Sequence, residues 1–425
     1  MDGEGTHLRQ PELTRQLGTG DALVIGLGSM MGAGVFAAFG PAARAAGAGL
    51  LIGLMLAATI AYCNATASAQ LAAVYPTSGG TYIYGRERLG PWWGFAAGWG
   101  FLIGKTASCA AMALTVASYA LPGPWWAQRI VAVAAVVVLT ALNYRGITKT
   151  ATLARILVAC TLIALAAVVI GIAIGGVRLS NLSGAGSWSS ATAYGVLQSA
   201  GLLFFAFAGY ARIATMGEEV RDPARAIPKA IMFALAIAVA VYLVVGVAAL
   251  LAAGPERLAR AAAPLSEALR AAGAAPLVPV VAVGGTLASL GALLALIAGI
   301  GRTTLAMARN RDLPPWLAAV HPRYHVPHHA EMALGVIVGV LAATVDLRGV
   351  IGFSSFGVLI YYAIANASAY TQPREQRRWP RALNVCGVAG CLLLVVTLPW
   401  QSVVVGIGGF VVGLAGRAIA LRRRR

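Results

Sequence analysis

From Asp21 almost to the C-terminus, apolar runs about twenty residues long return again and again in this chain. A helix needs about 20 apolar residues to cross the hydrocarbon core of a bilayer, and every backbone N–H and C=O inside that core must be satisfied by the element that carries it. Membrane-spanning helices are the structure such runs can form. Composition agrees. Of the residues, 59% are hydrophobic and 11% are charged, with a mean hydropathy of +0.79, whereas a soluble domain carries about 25% charged residues. Taken in order, the runs predict twelve spans, at residues 19–45, 48–74, 92–121, 125–143, 151–175, 192–217, 228–253, 276–308, 329–345, 349–371, 382–398 and 400–421. No soluble domain of useful size fits between them. The expected fold class is an all-α integral membrane protein with the lipid bilayer as its surroundings.

A net charge of +18 invites a nucleic-acid reading, but Lys and Arg collect in the cytoplasmic loops of any multispanning protein. With the N-terminus inside, the cytoplasmic segments hold about 19 of the 32 Lys and Arg residues and the external loops about 5, the rest lying within spans. Both termini are therefore expected in the cytoplasm of a multi-pass cell-membrane protein, and no nucleic-acid partner is expected. The Arg422 to Arg425 run then anchors the last span. Residues 1–18 carry Asp2, Glu4, His7, Arg9, Glu12 and Arg15 without an apolar stretch, which predicts a short cytoplasmic tail and no cleavable signal peptide. Cys63, Cys109, Cys160, Cys386 and Cys391 lie in apolar runs, where cysteine serves as a small core residue, so neither disulfides nor a metal site are expected. His321, His325, His328 and His329 crowd one loop, yet no acidic or Cys partner stands at ligand spacing, and Pro322 and Pro327 make the stretch irregular. Neither His-Glu-x-x-His nor Gly-x-Ser-x-Gly occurs, so an enzyme has no motif to rest on and nothing calls for a cofactor.

Two spans are wrong for simple helices. The first holds Gly26, Gly28, Gly32 and Gly34 within twelve residues, Ile25 to Phe36, and the sixth holds Phe204-Phe-Ala-Phe-Ala-Gly-Tyr210 around Gly209. Ser29 to Gly34 lies roughly 15 to 22 Å past Thr19 at 1.5 Å per residue, near mid-membrane. Interrupted spans five helices apart are the signature of an inverted repeat, with substrate held where the breaks meet. The expected organisation is a ten-helix core at 19–375, with repeats at about 19–175 and 192–371, followed by two further helices and a basic tail at 376–425.

These strings resemble the amino acid, polyamine and organocation transporter family across essentially the whole chain. Gly28-Ser-Met-Met-Gly-Ala-Gly-Val-Phe36 is similar to its glycine-rich break, and Tyr75-Pro-Thr-Ser-Gly-Gly-Thr-Tyr82 to the loop after its second span. Phe204 to Tyr210, followed by Glu218-Glu219-Val-Arg-Asp-Pro223 and Ile227-Pro228, resembles the sixth span and its exit. Arg302, Ala306-Met-Ala-Arg309, Leu313-Pro314 and His321-Pro-Arg-Tyr324 resemble the end of the eighth span and the loop beyond it. The resemblance implies a five-plus-five inverted-repeat fold, interrupted helices 1 and 6, and alternating access. Some proton-coupled members carry an acidic residue after the sixth-span glycine-aromatic pair, where this chain has Ala211 and Arg212. Others have a fifth-span lysine, where it has Thr161. The resemblance therefore brings no coupling group onto either position.

A free amino acid carries a carboxylate and an ammonium, neither of which can stay unpaired in a low-dielectric site. The amides of Gly32, Ala33 and Gly34 begin a half-helix and turn its positive dipole end toward a carboxylate, and glycine lets the ligand reach them. Carbonyls of Phe205, Ala206, Phe207 and Ala208, with Gly28, Ser29, Met30 and the Gly209 hinge, can accept from the ammonium. A Rossmann reading of Gly26 to Gly34 lacks its βαβ context. Gly98, Gly284 and Gly291 read as packing glycines. Lys105 stands thirteen residues past Trp92, roughly 20 Å deep, where a charge costs at least ~2.5 to 3.5 kcal/mol and is retained for a use. It could replace a coupling cation, contact substrate or carry a proton. Arg212, one turn from the break, and Glu218 are candidates for an inner gate, and Arg302 and Arg309 read as anchors.

The leading expectation is a secondary transporter for an amino acid or related amine, working by proton-coupled symport or by exchange. Sodium coupling through backbone carbonyls and hydroxyls such as Thr286 and Ser289 stays open. No Asp or Glu lies deep in a span while Lys105 does, so neutral or zwitterionic substrates are favoured over polyamines and cationic amino acids. A channel would want a continuous polar pore, whereas a non-transporting nutrient sensor would bind without flux.

Overall fold

In the computed structural model, residues 17–77, 79–145, 151–183, 188 and 191–422 are described. Most of the expected N-terminal tail and the last three arginines lie outside them. Among the described residues the regular structure is helical, apart from one parallel bridge between Leu17 and Val220. Among the described residues, ten helices are long and apolar enough to cross a membrane, and two shorter apolar ones, His328–Thr344 and Arg381–Thr397, complete the twelve spans. At 17 residues each, the shorter pair still reaches roughly 25 Å, the low end of what a bilayer requires.

Span 1 is broken where expected. Its first half runs Thr19–Met30, Met31 and Gly32 leave helical geometry, and the second half starts at Ala33–Ala37 and continues as Phe39–Ala46. Gly47, at φ +57°, turns the chain into span 2, Leu50–Val74; that conformation is open mainly to glycine. Span 6 comprises Ala193–Phe207, a 3-10 turn at Ala208–Tyr210, and Ala211–Ala214. The sixth break is thus a tightening of the helix, milder than the interruption of span 1.

The remaining spans are 3 (Pro91–Ala120), 4 (Trp125–Tyr144), 5 (Ala151–Gly175), 7 (Pro223–Arg260), 8 (Val278–Arg309), 9 (His328–Thr344), 10 (Leu347–Tyr370), 11 (Arg381–Thr397) and 12 (Trp400–Arg422). Their packing comes in mirrored pairs. Span 3 packs on span 10 as span 8 packs on span 5; span 2 packs on span 6 as span 7 packs on span 1; span 4 meets span 9. Five is odd, so the second set enters the membrane from the opposite side, and the mirrored contacts are those of an inverted repeat. Spans 3 and 6 are the centre, each 89% buried over its apolar window, whereas spans 4 and 12 are 17% buried and face outward.

Small residues bring the central helices together. A Cβ on Gly100 would lie 2.9 Å from the Gly357 carbonyl, and one on Gly104 3.0 Å from that of Ser354, so spans 3 and 10 touch backbone to backbone. With no hydrophobic drive between helices in lipid, such close approach and interhelical hydrogen bonds supply the attraction. Gly98 and Gly284 do the same against Met307 and Ala164.

The face carrying the start of span 1 is closed by polar ties. Leu17 N donates to Glu219 O (3.0 Å) and Arg221 N to Leu17 O (2.9 Å). Arg155 pairs with Asp21, and Arg302 with Glu219 at 3.4 Å. The short helix Thr81–Leu89 lies under the end of span 6, where Tyr84 Oη donates to Ala214 O (3.2 Å) and Pro76 packs on Gly217. Span 12 is fixed there by Arg417, which donates to Pro91 O (2.6 Å) and pairs with Asp312 at 3.0 Å, while Tyr82 Oη donates to the same carboxylate (2.8 Å).

Candidate substrate site at the two helix breaks

The two breaks meet. A Cβ on Gly209 would stand 2.4 Å from the carbonyl carbon and oxygen of Ser29 and 2.5 Å from Met30 N, and one on Gly34 would stand 2.6 Å from Ala206 Cα. Only residues without a side chain let the two interrupted backbones come this close. On the far side a Cβ on Gly32 would stand 2.6 Å from Ala292 Cβ of span 8, and one on Gly28 3.1 Å from Val158 of span 5. Gly28, Ser29, Met30, Gly32, Ala33, Gly34 and Phe205 to Gly209 are therefore brought into one region, buried except for partial exposure at Gly28, Ser29 and Gly209.

The carbonyls of this region have specific partners. Tyr242 Oη, on span 7, lies 2.7 Å from Met30 O and 3.1 Å from Ala206 O, so one proton is shared between the two breaks. Lys105, 5% exposed and midway along span 3, donates from Nζ to Ala208 O at 3.0 Å. Tyr362 Oη of span 10 approaches the same oxygen at 3.4 Å. Ser29 Oγ turns back to Ile25 O (2.9 Å) within its own half-helix, and Tyr119 Oη donates to Phe36 O (2.8 Å). Rings of Phe204, Tyr210 and Tyr361 pack around Tyr362, and Phe207 lies 5.1 Å from Tyr242. The arrangement offers amides at the start of one half-helix, carbonyls at the end of the other and one ammonium between spans 3 and 6.

The amino acid permease profile matches residues 17–412. The chain belongs to the amino acid permease family. It is 60% identical over 417 residues to an uncharacterized transporter of Mycobacterium tuberculosis, covering 97% of this chain and 94% of the other. A branched-chain amino acid permease of Bacillus subtilis is 26% identical, covering 95% and 92%, and a chloroplastic cationic amino acid transporter of Arabidopsis thaliana is 27% identical, covering 92% and 71%. The resemblance seen in the glycine-rich break and the sixth-span exit is thus that of a family member, and the protein is a multi-pass membrane transporter of small molecules.

In this family member the remaining candidates spread away from the breaks. Arg212 is half-buried with Nη1 3.4 Å from Thr215 Oγ1, and Arg302 and Glu219 are the charged groups near it. The ion pair across spans 6 and 8 is made by Glu219 with Arg302, and Glu218 stands beside it in the chain. Thr161 returns its hydroxyl to Leu157 O (2.7 Å). His321 and His328 pack edge-on against Tyr144 at the end of span 4. Glu331, in the first turn of span 9, is 2% exposed and lies against Gly301.

Sequence reasoning passed over Tyr242 and Tyr362. Their signal was position: tyrosine in a spanning helix normally sits at the interface, and these two sit mid-span. Tyr242→Phe keeps the ring and deletes the proton shared by Met30 and Ala206. With one net hydrogen bond worth about 0.5 to 1.5 kcal/mol, substrate affinity is expected to fall roughly two- to tenfold. Titration calorimetry in detergent checks this, and unchanged affinity would remove the bridge from the binding step.

Proposed function

We propose that this protein is a secondary active transporter that moves a neutral or zwitterionic amino acid across the cytoplasmic membrane by alternating access, in proton-coupled symport or in exchange. The observation that carries the reading is the meeting of the two breaks at Gly209 and Ser29, with their carbonyls held by Tyr242, Tyr362 and Lys105. Substrate would enter between Gly32 to Gly34, whose amides suit its carboxylate, and the carbonyls of Phe205 to Ala208, which suit its ammonium. The ten-helix core at 19–375 would do the reorienting, with Arg302 and Glu219 beside Arg212 as the inner gate and both termini cytoplasmic.

Lys105 favours zwitterions. Its ammonium already holds the Ala208 carbonyl, which leaves the substrate ammonium to the carbonyls before it; a substrate without a carboxylate only adds a second cation, whereas a zwitterion brings a carboxylate that offsets the repulsion. The branched-chain and cationic relatives stand at nearly equal identity, so their names do not decide the matter. Sodium remains the second candidate for coupling ion, supported by Thr286 and Ser289 of span 8. Their buried hydroxyls have no protein partner and lie beside Ala288, whose carbonyl is 3.7 Å from a Cβ on Gly32.

A thermal-shift screen of the purified protein against all amino acids, polyamines and common amines tests the substrate class. A ligand at 100 times its Kd stabilises by about 2.7 kcal/mol, which moves the melting temperature visibly. Stabilisation by neutral amino acids is expected; stabilisation by polyamines or arginine alone would overturn the assignment. Saturable uptake with trans-stimulation in liposomes, repeated without sodium, separates a carrier from a channel and a proton from a sodium ion.

A further inference from the structure

Four buried amide side chains lie between spans 2 and 10, and the substrate site uses none of them. Asn64 and Asn366 are 0% exposed, as is Gln372, and Gln70 is 1% exposed. Asn366 Nδ2 donates to Asn64 Oδ1 (2.6 Å) and to Tyr362 O (2.9 Å), and Cys391 Sγ of span 11 lies 3.4 Å from Asn64 Oδ1. Further along, Gln70 Nε2 donates to Gln372 Oε1 (2.6 Å), and Gln70 Oε1 accepts from Arg378 N (3.0 Å) in the segment between spans 10 and 11. These groups continue from the sixth break. Tyr362, whose hydroxyl shares the Ala208 carbonyl with Lys105, is one helical turn before Asn366. From Tyr362 to Tyr370, at the end of span 10, is roughly 12 Å along the axis. The polar groups thus form a seam from the Lys105 region to the face that carries the start of span 1.

The seam is not self-sufficient. Asn64 Nδ2, Ser68 Oγ, Asn366 Oδ1 and Gln372 Nε2 are all buried with no protein partner, although Ser68 lies one turn beyond Asn64 on the same helix. An unpaired polar atom in a bilayer is costly, and a run of them in native proteins is ordinarily satisfied by internal water. The lining is small. Gly387 of span 11 leaves room for the Asn366 amide, which a Cβ there would meet at 2.3 Å, and Cys391 lies one turn further on the same span.

We infer that spans 2, 10 and 11 enclose a file of water molecules that carries protons between Lys105 and the face bearing the start of span 1, apart from the path of the substrate. The inference rests on the reading of Lys105 as a proton carrier. One proton leaves Nζ and the ammonium becomes a neutral amine that still donates an N–H to Ala208. The proton passes along the waters bound by Asn366, Asn64 and Ser68, and appears in solution near Arg378. The groups facing Lys105 are the Ala208 carbonyl of span 6, the Tyr362 hydroxyl of span 10 and Cys109 on its own helix, so no carboxylate competes for the proton among these neighbours. Span 11, which lies outside the inverted repeat, would then serve as the outer wall of the seam.

Hydroxyl-radical footprinting of the intact protein reads the water directly. Cys391 is 0% exposed, as is Met307 in the apolar cluster with Tyr82 and Phe95. Fast oxidation of Cys391 with protection of Met307 is expected; equal protection of both would overturn the water file. Proton uptake accompanying amino acid transport is then followed in liposomes for Ser68→Ala, Asn366→Leu and Lys105→Met. Ser68→Ala tests the file without relying on Asn366→Leu to fold, because deleting an unpaired hydroxyl from a dry seam stabilises the protein and leaves proton uptake alone. In a hydrated seam it removes a water ligand, and proton uptake should slow about fivefold while exchange stays near wild type. Loss of coupling in Lys105→Met with both seam variants unaffected would sink the conduit and keep the lysine. Slowed seam variants with an unaffected Lys105→Met would keep the conduit and sink the lysine.

Discussion

Gly209→Ala is expected to lower substrate affinity by roughly fivefold to a hundredfold and to leave insertion and helix content intact. The added Cβ would stand 2.4 to 2.5 Å from Ser29 and Met30 backbone atoms, which cannot rotate away as a side-chain tip can. Overpacking of this kind costs about 1 to 3 kcal/mol, and each 1.4 kcal/mol is tenfold in affinity. The strain would be relieved by moving the two breaks apart, which displaces the carbonyls that Tyr242 holds together. Gly34→Leu should act in the same direction and more strongly, against Ala206 Cα at 2.6 Å. Gly299→Ala on span 8 is the control, since nothing lies within 4 Å of its added Cβ. Calorimetry with the amino acid found in the thermal-shift screen provides the measurement, and wild-type affinity in Gly209→Ala would reduce the meeting of the breaks to packing.

Lys105→Met should separate stability from coupling. The ammonium is buried midway along span 3 with the Ala208 carbonyl as its acceptor, and a charge at that depth costs at least ~2.5 to 3.5 kcal/mol. Methionine fills a similar volume without that cost, so the melting temperature should hold or rise. Function should move the other way. If the lysine carries or mimics the coupling cation, accumulation driven by a pH gradient falls at least about tenfold while exchange at zero gradient survives, because exchange needs only the loaded carrier to reorient. If it contacts the substrate carboxylate, affinity falls in both assays. Uptake with and without an imposed gradient, measured beside counterflow exchange in the same liposomes, distinguishes the two. Unchanged rates, affinity and pH response would return Lys105 to the packing residues.

The identity of the cargo bears on how the seam at Asn64 and Asn366 is read. An exchanger that swaps one zwitterion for another moves no net proton, and a hydrated path to Lys105 would then be idle. A symporter needs such a path, or needs the proton to travel with the substrate. The neutral-substrate reading and the water file are therefore linked through Lys105, and the same liposomes test both.

How many times the chain crosses the membrane, and where two of the crossings fail, is written in local composition. Hydrocarbon thickness fixes the length of an apolar run, so residues 92–121 or 349–371 announce a span without any knowledge of their neighbours. Glycines clustered at mid-span announce a break in the same way, and counting residues from Trp92 put Lys105 near the middle of span 3, where the helix Pro91–Ala120 has it. Which way each helix faces was decided only by tertiary structure. A soluble helix shows its inner side by an apolar stripe, but a helix in lipid is apolar all round, and its periodicity says little about rotation. That is why Tyr242 and Tyr362 passed unremarked until their hydroxyls were seen on Met30, Ala206 and Ala208, and why Glu219, rather than the neighbouring Glu218, was found on Arg302. The amides of Asn64 and Asn366 are 302 residues apart in the chain, and only the crossing of spans 2 and 10 brings them to 2.6 Å. Distances of that kind depend on how close two backbones can come, which the small residues at each crossing set jointly and no single segment encodes.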